Sequence, residues 1–288
     1  MTVSGTISEL HTRLTATRAR KTAGTIGFVP TMGALHAGHG ALIARARAEC
    51  DHVVVSIFVN PLQFDRSTDF DRYPQTLETD LAMCRSHGVD LVFAPASAEM
   101  YRTLPTTRID VGRLGNHLCG RHRSGHFDGV GLVVLKLFNL VQPHVAYFGE
   151  KDAQQLAIIR RIVTDLSVPV RIVGVSTVRD PDGLALSSRN QHLSPAERAL
   201  ATALYEALEA ARRAIGEGTT DVAAIVSDAL RQVPQVADLR VEYLEVVDPV
   251  ELQPVDVVSD TVLVAGALWV GTTRLIDNVL CEPAGDTP

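Results

Sequence analysis

The chain has no C-x-x-C pair, no low-complexity tract and no internal repeat. Its four cysteines, Cys50, Cys84, Cys119 and Cys281, are widely scattered. That spacing argues against a disulfide framework and predicts free thiols in a reducing compartment, the cytoplasm. Residues 1–14 hold no continuous apolar stretch of the kind a secretory signal needs, so none is expected. The longest apolar run, 262–270, falls well short of the roughly 20 residues that cross a bilayer. No membrane partner is expected. Positive charge is also scarce: 27 Lys and Arg against 33 Asp and Glu leave a net charge of −6, which disfavours nucleic acid as a partner. What remains is 288 residues, 46% hydrophobic and 21% charged. That is an ordinary globular composition with room for one large domain or two modest ones.

Apolar runs alternate with helix-like segments through the first part. Residues 26–29, 53–60, 90–93, 145–148 and 170–175 read as strands, and 40–50, 75–87, 130–141 and 152–166 as helices. The run Val53-Val54-Val55-Ser56-Ile57-Phe58-Val59 is β-branched and nearly continuous, as in strands covered on both faces. This order predicts an α/β, Rossmann-like, doubly wound parallel sheet. The pattern changes at Arg179-Asp180-Pro181-Asp182-Gly183, a charged Pro/Gly turn. Two domains are therefore expected, 1–180 and 181–288. The second begins with a long helix, 195–216, with Ser194 as N-cap and Glu197 three residues on. A helix at 221–232 and strands at 239–247, 261–270 and 274–279 complete a small α+β unit.

The richest stretch is Pro30-Thr31-Met32-Gly33-Ala34-Leu35-His36-Ala37-Gly38-His39, at the first strand-to-helix junction. Unpaired N–H groups and the helix dipole attract phosphate there. Histidines at i and i+3 share a face of the first turn and can donate to one phosphate chain. Glycine between them permits close backbone approach. With 10 His and 21 Gly in the chain, His-x-Gly-His is expected by chance about 0.025 times. The competing reading is a Gly-rich turn with solvated histidines. Zinc is disfavoured, because no Cys or acidic cluster of ligand spacing accompanies them.

Four weaker segments stand at corresponding places. Phe148-Gly149-Glu150-Lys151-Asp152-Ala153-Gln154-Gln155 joins another strand to a helix. Lys151 there offers a compact charge to phosphate, and Asp152 doubles as a simple N-cap. Leu184-Ala185-Leu186-Ser187-Ser188-Arg189-Asn190 offers two hydroxyls and a guanidinium, or merely a polar loop. Asn60-Pro61-Leu62-Gln63-Phe64 puts a glutamine at a strand exit, suited to a small polar substrate or to turn chemistry. Arg121-His122-Arg123-Ser124-Gly125-His126 is a basic loop that could assist an anionic substrate, and a solvated charge run is the simpler reading.

Taken together these segments resemble the pantothenate synthetase (pantoate–β-alanine ligase) family, nearly end to end. The 29–39 stretch is similar to that family's version of the HIGH motif of nucleotidyltransferases, and residues 55–64, 136–143, 148–156 and 184–190 also match its pattern. The Leu-Ser-Ser-Arg segment stands where related synthetases have a KMSKS loop, but without the lysines. The resemblance implies a two-step condensation of (R)-pantoate with β-alanine through pantoyl adenylate, using ATP and Mg2+. It implies ATP contacts from Met32, Gly33, Ala34, Leu35, His36, Ala37, Gly38, His39, Gly149, Glu150, Lys151, Asp152, Val178, Leu186, Ser187, Ser188 and Arg189. His36, His39, Lys151 and Arg189 would be catalytic, with His39 the proton donor as pyrophosphate leaves. Gln63 and Gln155, with Asn60, would bind pantoate. Asp80 is a candidate magnesium carboxylate, although a solvated helical acid is the simpler reading. The resemblance also implies a homodimer, and residues 181–288 are expected to act as a lid. Other nucleotidyltransferases and a non-catalytic ATP sensor are the alternatives.

Overall fold

The computed structural model describes residues 1–19, 24–64, 70–71 and 73–284. Two compact units emerge, each discontinuous in sequence. The first comprises Met1–Val111, Arg123–Glu150 and Ile158–Ser176, and the second Gly112–His122, Lys151–Ala157 and Thr177–Pro288. The elements run β1 (Thr2–Ser4), α1 (Ile7–Arg18), β2 (Ile26–Thr31), α2 (Ala37–Glu49), β3 (His52–Ile57), α3 (Leu77–Ser86), β4 (Leu91–Phe93) and α4 (Ser97–Met100). After α5 (Leu118–His122) come α6 (His126–Val141), β5 (Val145–Gly149), α7 (Ala153–Asp165) and β6 (Arg171–Val175). The remainder is α8 (Pro195–Leu200), α9 (Ala203–Gly216), α10 (Val222–Leu230), β7 (Leu239–Val247), β8 (Val262–Val270) and β9 (Thr273–Cys281).

The first unit is an α/β sheet of six parallel strands in the order β1-β4-β3-β2-β5-β6. Alternation along β2 explains its two covered faces. Val29, with Val53, Val55, Val145 and Tyr147, packs against Leu42, Ile43 and Ala46 of α2 and Cys84 of α3. Phe28 points the other way and meets Phe138 of α6 edge-on, with ring centroids 6.4 Å apart. The order also locates a crevice. From β2 the chain moves outward through β3 and β4, then returns to lay β5 on the opposite side of β2. Ligands of such sheets bind where that reversal opens the strand C-terminal ends. Here those are the ends of β2 and β5.

In the second unit, β7, β8 and β9 form an antiparallel sheet. Leu204, Ala207, Leu208, Ala211 and Ile215 form the apolar stripe of α9 and pack with Val264, Leu268 and Leu275 of that sheet.

Three differences from the sequence expectation have physical causes. The units do not divide at a single cut after residue 180, because 112–122 and 151–157 group with the second unit. Arg121 pairs with Glu245 at 3.6 Å, and the buried Gln154 binds the carbonyls of Leu114 and His117 at 2.8 and 2.9 Å. Part of the supposed basic loop is therefore helix α5. The long helix 195–216 is broken between α8 and α9, where the Thr202 hydroxyl donates to the Ala199 carbonyl at 3.2 Å instead of leaving the backbone ladder undisturbed. Among the described residues no helix is long and apolar enough to cross a membrane.

Candidate active site

In the first unit, β2 delivers its last residue, Thr31, into a tightly bonded turn. The Thr31 hydroxyl donates to the Ser56 carbonyl at 2.7 Å and accepts from the Gly33 N–H at 3.2 Å. Gly33 and Ala34 then both take positive φ, +83° and +49°. For alanine that conformation is costly and must be held from outside. Asp80 holds it: one carboxylate oxygen accepts the Ala34 N–H at 3.0 Å, the other the Leu35 N–H at 2.8 Å. The Thr76 hydroxyl donates to the same group at 3.2 Å. Asp80 is 1% exposed, so it is not the solvated helical acid the sequence suggested. Its distinguishing feature is a contact 46 residues away along the chain.

The two histidines build the start of α2. His36 is its N-cap and its Nδ1 accepts the Gly38 N–H at 3.1 Å, while His39 Nδ1 accepts the His36 N–H at 3.2 Å. Each ring accepts at Nδ1, which leaves Nε2 as the end that can carry a proton toward a ligand. The rings lie 4.2 Å apart, tilted by 52°. A side chain on Gly38 would meet the His36 ring at 2.8 Å, so this glycine makes room for the imidazole cap. Proton delivery by His39 would need Nδ1 protonated as well, at the cost of the bond it accepts from the His36 N–H.

Beside this loop stands Gln63, at the end of the 3-10 turn Pro61–Gln63 that leaves β3. It is 7% exposed, and its Nε2 lies 2.9 Å from Met32 Sδ. Its amide oxygen accepts from Asn60 Nδ2 at 3.1 Å, and its backbone carbonyl accepts from His126 Nδ1 at 2.6 Å and Arg123 at 3.3 Å. Asn60 is buried with both amide ends engaged by Leu62, Tyr101, Gln63 and Gly129. It orients Gln63 and is closed to a ligand. Arg123, assigned to a solvated run by sequence, thus helps hold the glutamine. His126 and Tyr101 share that work. Their pairing depends on tertiary contacts across tens of residues, which no local pattern signals. Gly149, half-buried, ends β5, and the half-buried Glu150 opens the 3-10 turn that follows.

The second unit carries Lys151, Asp152, Gln155, Val178 and the 186–189 segment. Lys151 is half-buried, its carbonyl accepts from Asn278 at 2.8 Å, and its ammonium has no partner among the described residues. Together with Ser187, Asn190, Tyr205 and Asp277 it lines a small cavity. Asp277 does not neutralise it, being held by Arg179 at 3.0 Å, whose guanidinium lies over the Tyr205 ring. Val178 receives the Leu186 N–H at 2.9 Å. Ser187 caps the short turn Ser188–His192 by accepting the Arg189 N–H at 3.3 Å. Asn190 donates to the Ala185 carbonyl at 3.1 Å, yet its own buried amide oxygen has no partner. Asp152 is exposed, and the half-buried Gln155 makes no hydrogen bond among the described residues. A half-buried cation without a counterion is a place for an anionic ligand.

Comparison with known proteins agrees along almost the whole chain. The sequence profile of the family described as Pantoate-beta-alanine ligase matches residues 2–280. A bifunctional pantoate ligase/cytidylate kinase of Thermosynechococcus vestitus is 56% identical over 94% of this chain, and the chain spans 55% of that longer protein, about half its length. The crystal structure of pantothenate synthetase from Thermus thermophilus is 47% identical, with a TM-score of 0.90 over 97% of this chain and 99% of that one. The pantoate-beta-alanine ligase of Francisella tularensis, crystallised with beta-gamma ATP and beta-alanine, is 33% identical, with a TM-score of 0.80 over 97% of both chains. The chain belongs to the pantoate–β-alanine ligase family.

Proposed function

We propose that this protein is an AMP-forming pantoate–β-alanine ligase. The observation that carries the reading is the abutment of a helix-start loop and an oriented glutamine, with Gln63 Nε2 only 2.9 Å from Met32 Sδ. A nucleotide site alone would not need that amide. The ligands of the Francisella relative support the same reading.

In the first step a carboxylate oxygen of (R)-pantoate bonds to the α-phosphorus of ATP as the bond to the leaving pyrophosphate breaks. Pantoyl adenylate forms. In the second, the amine of β-alanine bonds to the acyl carbon and loses a proton, and AMP departs with the electron pair of the broken C–O bond. A free carboxylate is a poor acyl donor because its leaving group would be strongly basic, whereas AMP leaves readily. The first step brings an anion to a polyanion, so positioning and charge stabilisation dominate it. His36 and His39 donate Nε2–H to the phosphates, aided by the N-terminal end of α2. Lys151 and Arg189 neutralise charge that moves onto pyrophosphate, and Ser187 and Ser188 donate to the triphosphate. Gln63 and Gln155 bind pantoate. Backbone groups of Met32, Gly33, Gly149 and Val178 hold the nucleotide.

A protein-held magnesium at Asp80 does not fit: the carboxylate is 1% exposed and its two oxygens already take three donors, the N–H groups of Ala34 and Leu35 and the Thr76 hydroxyl. Among the described residues no three His, Cys, Asp or Glu converge as a metal site. A homodimer is part of the family reading, and sedimentation velocity checks it.

The decisive assay follows AMP from ATP. Pantoate-dependent ATP–pyrophosphate exchange without β-alanine, and sustained AMP release with it, are expected. ADP formation, or AMP release that ignores pantoate, overturns the reading.

A further inference from the structure

Gly129 and Leu62 leave Asn60 one possible orientation. The Gly129 carbonyl can only accept and the Leu62 N–H can only donate, and they meet Asn60 Nδ2 at 3.1 Å and Oδ1 at 3.3 Å. The second amide hydrogen of Asn60 therefore goes to Gln63 Oε1, at 3.1 Å. That in turn turns the Gln63 NH2 away, toward Met32 Sδ. Thioether sulfur is a weak acceptor, so the strong donor capacity of that NH2 is left for a ligand. Tyr101 completes the chain: its hydroxyl donates to Asn60 Oδ1 at 3.0 Å.

We propose that Tyr101 is a positioning residue: its hydroxyl reinforces the Asn60 orientation that Gly129 and Leu62 set, and so holds the Gln63 amide with its NH2 toward the substrate, so that this subsite selects a hydrogen-bond acceptor. The inference rests on the ligase reading, in which the acceptor is a carboxylate or hydroxyl oxygen of a 2-hydroxy acid. A substrate with an ammonium or amide N–H at that place would be refused. The surroundings suit a fixed donor. Phe58 packs against the Tyr101 ring with centroids 6.0 Å apart, and the Lys136 ammonium lies 5.4 Å from its centroid on the ring face. Burial pushes the phenol up to about 12, so it keeps its proton through neutral pH. Gly129 lets α6 approach so closely that an added side chain would meet the Leu62 carbonyl oxygen at 2.2 Å and the Gln63 nitrogen at 2.9 Å. The helix backbone is thus a built part of the relay.

The test is steady-state kinetics on the full chain for wild type, Tyr101→Phe, Gln63→Ala and the double variant, each with a thermal melt. Tyr101→Phe should raise the pantoate KM about three- to tenfold, the worth of one neutral hydrogen bond, leave the ATP KM unchanged and lower Tm by no more than a few degrees. In the Gln63→Ala background the same change should have no effect, because Tyr101 acts only through that amide. Additive effects, or equal rises in both KM values, overturn the relay. Should Tyr101→Phe melt early, Gln63→Glu decides: it keeps an acceptor for Asn60 but removes the donor. Loss of pantoate saturation with an unchanged ATP KM is then expected, and wild-type pantoate affinity overturns the relay. A wild-type chain that forms no pantoate-dependent AMP overturns the ligase reading, and the relay with it.

Discussion

The turn at 31–39 and the segment around Lys151 and 184–190 are built on opposite terms. In the first, Thr31, Asp80, His36 and His39 answer the local backbone donors from within the protein. In the second, the Lys151 ammonium and the Ser188 hydroxyl have no partners among the described residues, and the Asn190 amide oxygen is buried without one. An unmet buried polar group costs about 1–3 kcal/mol. The difference teaches where preorganisation lies. The turn holds its binding shape by itself, whereas the Lys151 region awaits a ligand or water to complete it.

Substitutions can break or sharpen that contrast. Lys151→Ala should lower pantoate-dependent ATP–pyrophosphate exchange by about 10²–10³-fold while leaving Tm within error of wild type, since no internal bond of its ammonium is lost. A fall in Tm comparable to that of a turn variant would erase the contrast. His39→Ala, which removes one donor to the phosphates, should cut exchange by about 10²-fold and also reduce stability by about 1 kcal/mol, because it removes the acceptor for the His36 N–H. Denaturant titration beside the exchange assay measures both. Gln63→Ala should raise the pantoate KM by about tenfold with little change for ATP. Equal effects on the two substrates would argue against direct contact. The smallest change in activity is expected for Asp80→Asn, which should act mainly on stability, by about 1–3 kcal/mol. Its half-saturating magnesium concentration should match wild type, and a marked rise would return Asp80 to the metal.

The sheet was legible because its strands are buried on both faces and so leave nearly unbroken apolar runs. Predicted strands 26–29 and 53–60 became Ile26–Thr31 and His52–Ile57. Helix α1 was invisible to the same logic. It buries only Leu10 and Leu14, although Thr6 and Glu9 form a capping box at its start. The residues of the site were legible as motifs, by the spacing of His36 and His39 and by family resemblance. Their roles were less so. Asp80 sits in a helix beside Glu78, with the local look of a solvated acid, and only its tertiary contact with Ala34 and Leu35 reveals what it does. The resemblance implied that Asn60 is a substrate ligand, whereas its bonds to Leu62, Tyr101, Gln63 and Gly129 engage both ends of its amide inside the protein.

The imidazole caps at the start of α2 carry one more consequence. A proton relay needs a ring with two exchangeable ends, one to load and one to unload. His36 and His39 each have an end committed to the chain's own N–H groups. Loading a proton at Nδ1 would expel that N–H and loosen the first turn of the helix that aims the ring. Shuttling protons and keeping the helix start intact are thus mutually exclusive states of the same two side chains.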